Sequence, residues 1–294
     1  MNADARQMPR VTVVVLHWGR PEDTVECVES LQTLDYPAFD VLIVDNGTQA
    51  EPVRRIAEVL PRVSVLQLPE NRGFAGGANA GLARAKEQGS EYAWLLNNDT
   101  VVCDPACLGR LAAHALETQR WVLAPTLVQT AGRCETEHAA ECFFPALALT
   151  LHAGRLSRFL ALWANPVGFV SGTAPLIRLD AVPTPLFDES FFAYFEDVDV
   201  CIRIGASRFG ACRDARIRHK VSRSTGGDLR KHRLKARNLV RLARKHGYFG
   251  LRFRAAYWCV FALAESRKYL ASPLAYWSAT AAAWREGAAS DMPN

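Results

Sequence analysis

Several apolar runs in this 294-residue chain end in groups that can do chemistry. Asp45 and Asn46 close the run "FDVLIV", Asn71 and Arg72 follow "VSVLQLPE", and Asn97, Asn98 and Asp99 close "YAWLL" with no spacer. In open α/β sheets, the carboxyl ends of strands are where ligands bind. There Asp45 could accept from a base N–H or a ribose hydroxyl, and Arg72 could face a base or a phosphate. Asp99 offers oxygen to a hard cation such as Mg2+ or Mn2+, the kind that accompanies a diphosphate. Asp104 and Pro105 suffice to start the next helix, which leaves Asp99 without a capping duty. Gly73, Gly76 and Gly77 would let a ligand approach the backbone closely. Their spacing is not the G-x-G-x-x-G of a dinucleotide site.

Two more groups come later. Glu196 and Asp197 follow "FFAYF". Acids at a helix start are favoured by the macrodipole alone. A carboxylate under an aromatic wall, shielded from water, is also how a general base is poised. His219 ends a strand-like segment. A lone histidine is more often structural, but "KVSRSTGG" follows it, a basic, hydroxyl-rich, glycine-ended loop of the kind that covers a phosphate.

The elements that must carry these groups alternate between strand and helix. "VTVVVLHW" (11–18) reads as a buried strand, and a helix follows with Val25, Val28 and Leu31 on its face. Further strands are expected over 39–47, around 63–70, over 92–96 and over 121–129. A short helix over 51–60 and a glycine-opened helix after Gly73 lie between them. The whole predicts a mainly parallel, Rossmann-like sheet with helices on both faces. Residues 130–166 lose periodicity and read as an insertion. A helix is expected near Glu196, a last strand up to His219, and helices from Leu229 onward.

Composition narrows the classes. About half the residues are apolar (49%), enough for a substantial core. The eight cysteines show no paired zinc spacing and read as reduced thiols. The polar start "MNADARQMPR" has no apolar h-region, so no secretory signal is expected. No apolar run reaches the roughly 18 residues of a spanning helix. The net charge of +5 is uneven, with ten Lys or Arg and one acid over residues 228–254. Ala236, Leu239, Val240 and Ala243 share one helical face beside an arginine stripe at 230, 233, 237, 241 and 244. The expectation is a helix lying on an anionic membrane surface, or packing on the domain.

The motifs "VDNGT" (44–48), "NRGFAGGANAG" (71–81), "LLNNDT" (95–100), "FFAYFEDVDVCIR" (191–203) and "RHKVSRSTGG" (218–227) occur in the order of a known family. The chain resembles the inverting glycosyltransferases of family 2, in particular a bacterial, rhamnosyltransferase-like branch. The resemblance implies the A-type glycosyltransferase fold over residues 10–227. It divides this into a nucleotide-sugar half, about 10–103, and an acceptor half, 104–227, followed by a basic, amphipathic helical segment, 228–294. It assigns Asp45, Asn71, Arg72, Gly73, Asn79, Asn97 and Asn98 to the donor, and Asp99 and His219 to a divalent metal, Mn2+ or Mg2+. It makes Asp197 the catalytic base, with Glu196 beside it. Arg218, Lys220 and Arg223 are candidates to assist the leaving group. The implied donor is a nucleotide sugar, dTDP-L-rhamnose first. The implied acceptor is a bacterial glycan or a lipid-linked sugar, and the implied location is the cytoplasm or the inner face of its membrane. The sequence departs from the family at "LHW" (16–18), where relatives often carry an asparagine.

Two other classes compete. A sugar-1-phosphate nucleotidyltransferase would carry a Gly-rich basic stretch after the first strand, where "HWGRPEDT" stands. A nucleic-acid-binding protein would use the basic segment, but few stacking aromatics interrupt it and no nucleic acid is expected.

Overall fold

The computed structural model describes residues 8–131, 134–162, 164–220, 228–266, 269 and 272–289. The first half alternates as expected: β1 (Val11–His17), α1 (Pro21–Leu31), β2 (Phe39–Asn46), α2 (Glu51–Val59), β3 (Val63–Leu68), α3 (Gly73–Glu87) and β4 (Tyr92–Asn97). Then come β5 (Thr100–Val101), α4 (Cys107–Thr118), β6 (Val122–Ala131), β7 (Cys134–His138), β8 (Glu141–Phe144), β9 (Leu149–His152), α5 (Arg155–Leu160), β10 (Val167–Phe169) and β11 (Leu176–Arg178). The chain closes with α6 (Glu196–Ile204), β12 (Phe209–His219), α7 (Leu229–Lys245), α8 (Leu251–Ala256), a π-helical turn (Tyr257–Ala262), α9 (Leu263–Ser266) and α10 (Pro273–Ala289).

One sheet organises these elements in the order β3-β2-β1-β4-β11-β6-β12-β5, with β7 paired to β6. Its first four strands are parallel, β11 runs antiparallel between β4 and β6, and β12 is parallel to β6. The sheet is continuous across residues 103–104, so both expected halves share one layer. The aperiodic stretch is the β6–β7 hairpin followed by a small second sheet, β10-β8-β9. The strands of that sheet are only three or four residues long, and adjacent Phe143 and Phe144 of β8 are both buried, so little alternation shows.

Alternation in β1 and β2 sends side chains to two cores. Val11, Val13, Val15, Val41 and Ile43 pack with α1, α2 and α4. Val14, Leu16, Leu42 and Val44 pack with α3, α6 and α7. The buried face of α1 is Thr24, Cys27, Val28 and Leu31. Val25, expected on that face, is half-buried at its margin. Trp94 is fully buried, and its indole N–H donates to the Ala174 carbonyl at 3.0 Å, as a buried indole requires.

The glycines of α3 fit protein against protein. The helix begins at Gly73 itself. A Cβ at Gly77 would stand 2.5 Å from Leu16 Cδ1, and one at Gly81 2.4 Å from Val14 Cγ1. A Cβ at Gly73, where φ is +70°, would meet the Phe192 carbonyl oxygen at 2.3 Å. The room expected for a ligand is filled by the sheet and by the loop before α6.

The basic segment is part of the same body. Ala236, Leu239, Val240 and Ala243 are at most 1% exposed and join the core under the sheet. The face expected to lie on a membrane is thus covered within the protein, where α10 packs along α7 with Gly287 against Val240. Among the described residues, no helix is long and apolar enough to cross a membrane.

Gly81→Ala is expected to lower stability by about 1–3 kcal/mol, because the added methyl overpacks the α3–β1 contact. Urea unfolding at constant m-value measures it. An unchanged midpoint would show that α3 can lift off the sheet at no cost.

Candidate active site

Parallel pairing brings the strand ends to one rim. His17 and Asp45 are register partners on β1 and β2, and Leu16 is the partner of Asn97 on β4. Asp45 is fully buried. Its Oδ1 accepts from the Thr48 amide at 2.9 Å and the Thr48 hydroxyl at 2.6 Å, while its buried Oδ2 has no hydrogen-bond partner among the described residues. His17 is also fully buried, with Nδ1 2.6 Å from the Thr24 hydroxyl and Nε2 unpartnered among the described residues. Burial lowers the His17 pKa, and the Asp45 charge only partly opposes this. Unpaired buried polar atoms are costly, so a donor–acceptor pair at a strand-end rim points to a ligand. Sequence reasoning missed His17. The available signal was the departure at "LHW", read only as a missing asparagine.

The next expected contacts are mostly tied into protein. Asn46 is the hub: its Oδ1 accepts from the Arg72 amide at 2.9 Å, and its Nδ2 donates to Asn71 Oδ1 at 3.1 Å and the Gly73 carbonyl at 2.9 Å. The Arg72 guanidinium pairs with Glu189 at 2.9 Å, in the loop before α6. Asn79 forms a two-way bond with the Phe187 backbone at 2.9 and 3.0 Å. Asn98 Nδ2 donates to the Thr24 hydroxyl at 2.9 Å and to the Trp18 and Arg20 carbonyls at 3.3 and 3.4 Å, fastening the β1–α1 loop.

Asp99 and His219, 120 positions apart in sequence, meet. Asp99 Oδ1 lies 3.3 Å from His219 Nε2, yet it is buried and accepts no hydrogen bond among the described residues. The meeting is built by backbone: His219 is the register partner of Thr100, and the Lys220 N–H donates to the Asp99 carbonyl at 2.9 Å. A carboxylate oxygen and an imidazole nitrogen this close, without a hydrogen bond between them, fit a divalent cation. Asp104 Oδ1 accepts from the Ala106 amide at 3.0 Å, so it caps the turn before α4 while the helix itself starts at Cys107. Lys220 is bound to Asp23 and Glu26 of α1 rather than free for a leaving group. Arg218 is exposed on β12. Arg223 and the rest of residues 221–227 lie outside the described residues.

Asp197 reaches the same rim through one loop. Its Oδ2 accepts from the Gly172 amide at 3.0 Å, and the neighbouring Thr173 carbonyl accepts from the Asn97 amide at 2.9 Å. Burial raises the Asp197 pKa, against the opposing hydrogen bonds from Gly172 and Val198. Burial first, and the Asp197 charge second, push Glu196 well above the usual carboxylate range, and its Oε2 is buried without a partner among the described residues. The same two causes bring Glu141 up to about 7. Asp199, one turn on, behaves oppositely. Burial pushes it up, but bonds from His246, Lys245 and Arg203 outweigh this and hold it at about 2.

The loop that delivers Asp197 is strained. Phe192, Tyr194 and Phe195 all have positive φ, at 65°, 72° and 71°. Such residues cost about 1–3 kcal/mol each and persist only where the surroundings over-determine them. Here the surroundings are two helices. The Phe192 carbonyl accepts from the Ala75 amide of α3 at 3.1 Å. From α7, fully buried Asn238 donates to the carbonyls of Phe191, Ala193 and Tyr194 at 2.7, 2.7 and 3.0 Å. Arg237 fixes that amide by donating to Asn238 Oδ1.

A mixed sheet of this order, flanked by helices and closed by C-terminal helices, is the A-type glycosyltransferase fold. Solved structures with this fold include TarS from S. aureus (TM-score 0.59, 16% identity, 95% of this chain and 80% of that one). The mannosyltransferase PcManGT from Pyrobaculum calidifontis, solved with GDP-Man and Mn2+, gives 0.54 at 19% identity over 98% of this chain and 78% of that one. GalNAc-T7, solved with UDP, GalNAc and Mn2+, gives 0.61 at 12% identity over 81% and 48%. The sequence model of glycosyl transferase family 2 matches residues 12–184, more than half of the chain. The chain belongs to glycosyl transferase family 2. A curated relative, the succinoglycan biosynthesis protein ExoO of Rhizobium meliloti (strain 1021), is 33% identical over 96 residues, 32% of this chain and about a quarter (27%) of that protein. Family membership favours glycosyl transfer over the nucleotidyltransferase and nucleic-acid-binding alternatives. The family match includes Asp45, Arg72 and Asp99 but ends before Asp197 and His219, which geometry alone joins to the rim.

Asn238→Ala is expected to destabilise the fold by about 1–3 kcal/mol, since buried carbonyls lose their donors. Asn238→Asp should cost more, because an ionised carboxylate cannot donate and would face three carbonyl oxygens. Chemical denaturation ranks the variants. Wild-type midpoints for both would mean the loop is held without this amide.

Proposed function

We propose that the chain transfers a sugar, with inversion, from a nucleoside-diphosphate donor to a hydroxyl of a bacterial glycan or lipid-linked acceptor. The observation that carries this reading is the loop 171–173, whose adjacent amide and carbonyl bind Asp197 and the Asn97 end of β4. It ties the shielded carboxylate to the strand that leads into Asp99. Inversion is a single displacement at the anomeric carbon, so one positioned base is enough. Two flanking carboxylates belong to hydrolysis.

In this reading Asp197 Oδ2 or Oδ1 takes the proton of the acceptor hydroxyl as the new bond forms. Its raised affinity for a proton suits that task. Glu196, buried beside it, stays protonated and leaves the negative charge on Asp197. Asp45 and His17 offer a free acceptor and a free ring nitrogen to the donor's base or ribose. Asp99 and His219 would hold a divalent metal, which neutralises charge on the departing diphosphate. The Mn2+ of two structural neighbours favours this assignment. dTDP-L-rhamnose is the first donor to try, on the motif resemblance, followed by UDP- and GDP-sugars. The relative in succinoglycan biosynthesis favours a polysaccharide acceptor.

Asp197→Asn should lower kcat by about 10²- to 10⁴-fold and leave donor Kd unchanged, because proton abstraction acts only in the transition state. In the wild type, kcat should fall as pH drops through a value above the ordinary aspartate pKa of about 3.9. The folded carboxylate takes up its proton earlier, and the protonated form cannot act as base. Steady-state rates across pH, with calorimetry for the donor, test both points. Weakened donor binding with an intact kcat would reassign Asp197 to donor binding.

Asp99→Ala and His219→Ala should each reduce metal-supported release of nucleoside diphosphate by at least ~10-fold, since the cation supplies several kcal/mol. Full turnover with unchanged metal dependence in both would remove this pair as the metal site.

A further inference from the structure

A second group of metal-ligand side chains lies in the insertion that the sequence left without periodicity. His138 ends β7, Glu141 begins β8 and His152 ends β9. Glu141 and His152 stand directly opposite each other in the antiparallel β8–β9 ladder, with Glu141 Oε2 3.9 Å from His152 Nδ1. The rings of His138 and His152 have centroids 4.0 Å apart. One ligand atom from each of the three residues lies within 4.8 Å of the others. His138 Nδ1 is buried and has no hydrogen-bond partner among the described residues. An unpaired buried nitrogen costs free energy that a metal ion would recover.

We propose that His138, Glu141 and His152 bind a borderline divalent transition metal, Zn2+ in class, at a site separate from Asp99 and His219. Two imidazoles and one carboxylate are a donor set that favours Zn2+ or Co2+ over Mg2+, which prefers oxygen alone. Closing the three atoms to the roughly 3.4 Å edges of a tetrahedron with bonds of 2.0–2.2 Å takes about an ångström of side-chain movement. Half-exposed His152 can make that movement without disturbing the core. Three protein ligands leave a fourth position for water or a substrate oxygen. His138 and Glu141 also line a small cavity with Ser171 and Ala174. Ser171 precedes Gly172, the residue that donates to Asp197. The site therefore sits one loop from the proposed base, on the acceptor side. A bound ion would tie the end of the β6–β7 hairpin to the small sheet.

Cobalt is the probe. The purified chain is titrated with Co2+ in a large excess of Mg2+, and the ligand-field bands of four-coordinate Co2+ are followed. One equivalent should bind, and the Asp99→Ala, His219→Ala double variant should keep it. His138→Ala and His152→Ala should each weaken binding by more than the roughly 10- to 100-fold that even outer-shell partners are worth. Zn2+ should raise the thermal midpoint of the wild type but not of His152→Ala, a substitution at an exposed position that leaves the core intact. Co2+ binding unchanged in both histidine variants would overturn the proposal. So would Co2+ binding that is lost in the double variant and retained by His152→Ala. Neither result depends on which sugar is transferred.

Discussion

Adjacent backbone groups of residues 172 and 173 hold the site together. The Gly172 amide points one way, to the Asp197 carboxylate, and the Thr173 carbonyl points the other, to the Asn97 amide. Asn97 ends β4, and β4 is clamped between β1 and β11 in the middle of the sheet. The position of Asp197 is thus referred to a central strand paired on both edges, although its own loop is strained. The side chain of Ser171 bonds Thr173 at 2.9 Å and stiffens the connection.

The strain in residues 192–195 explains why so much of the chain converges there. Three bulky residues with positive φ would relax if left exposed. Gly73 lets the Phe192 carbonyl approach α3, where any Cβ would collide with it. On the opposite side Asn238 gathers three carbonyls, and the Lys235 ammonium lies 4.8 Å from the centre of the Tyr194 ring. Lys245 and His246 reach past this loop to Asp199, at the first turn of α6. Lys245 and His246 therefore secure the helix that carries Glu196 and Asp197.

Electrostatics separates three neighbouring acids on α6. Asp199 has cationic partners and remains ionised far below neutral pH. Among the described residues Glu196 has none and favours its protonated form, and Asp197 lies between them, tempered by backbone N–H donors. Partner supply, rather than depth alone, distinguishes the three, since Asp199 is as fully enclosed as Glu196.

The order of strands and helices in the first half was legible because buried parallel strands and amphipathic helices carry strong local patterns. So were Asp45 and Asp99, because a carboxylate at the end of an apolar run is visible in one dimension. The partners of these groups were not. His219 reaches Asp99 only through the β12–β5 pairing, His17 meets Asp45 only through register, and Asn238 meets the base loop only through the docking of α7. The glycines of α3 were seen as space, but only packing decides whether ligand or protein fills it, and here Leu16, Val14 and Phe192 do. The apolar stripe of α7 was seen as a face, but a periodic pattern does not name what covers it. Local sequence determines which residues can form an element and which of its faces is apolar. Contacts between residues far apart in the chain depend on strand register and helix docking, which only the folded whole settles.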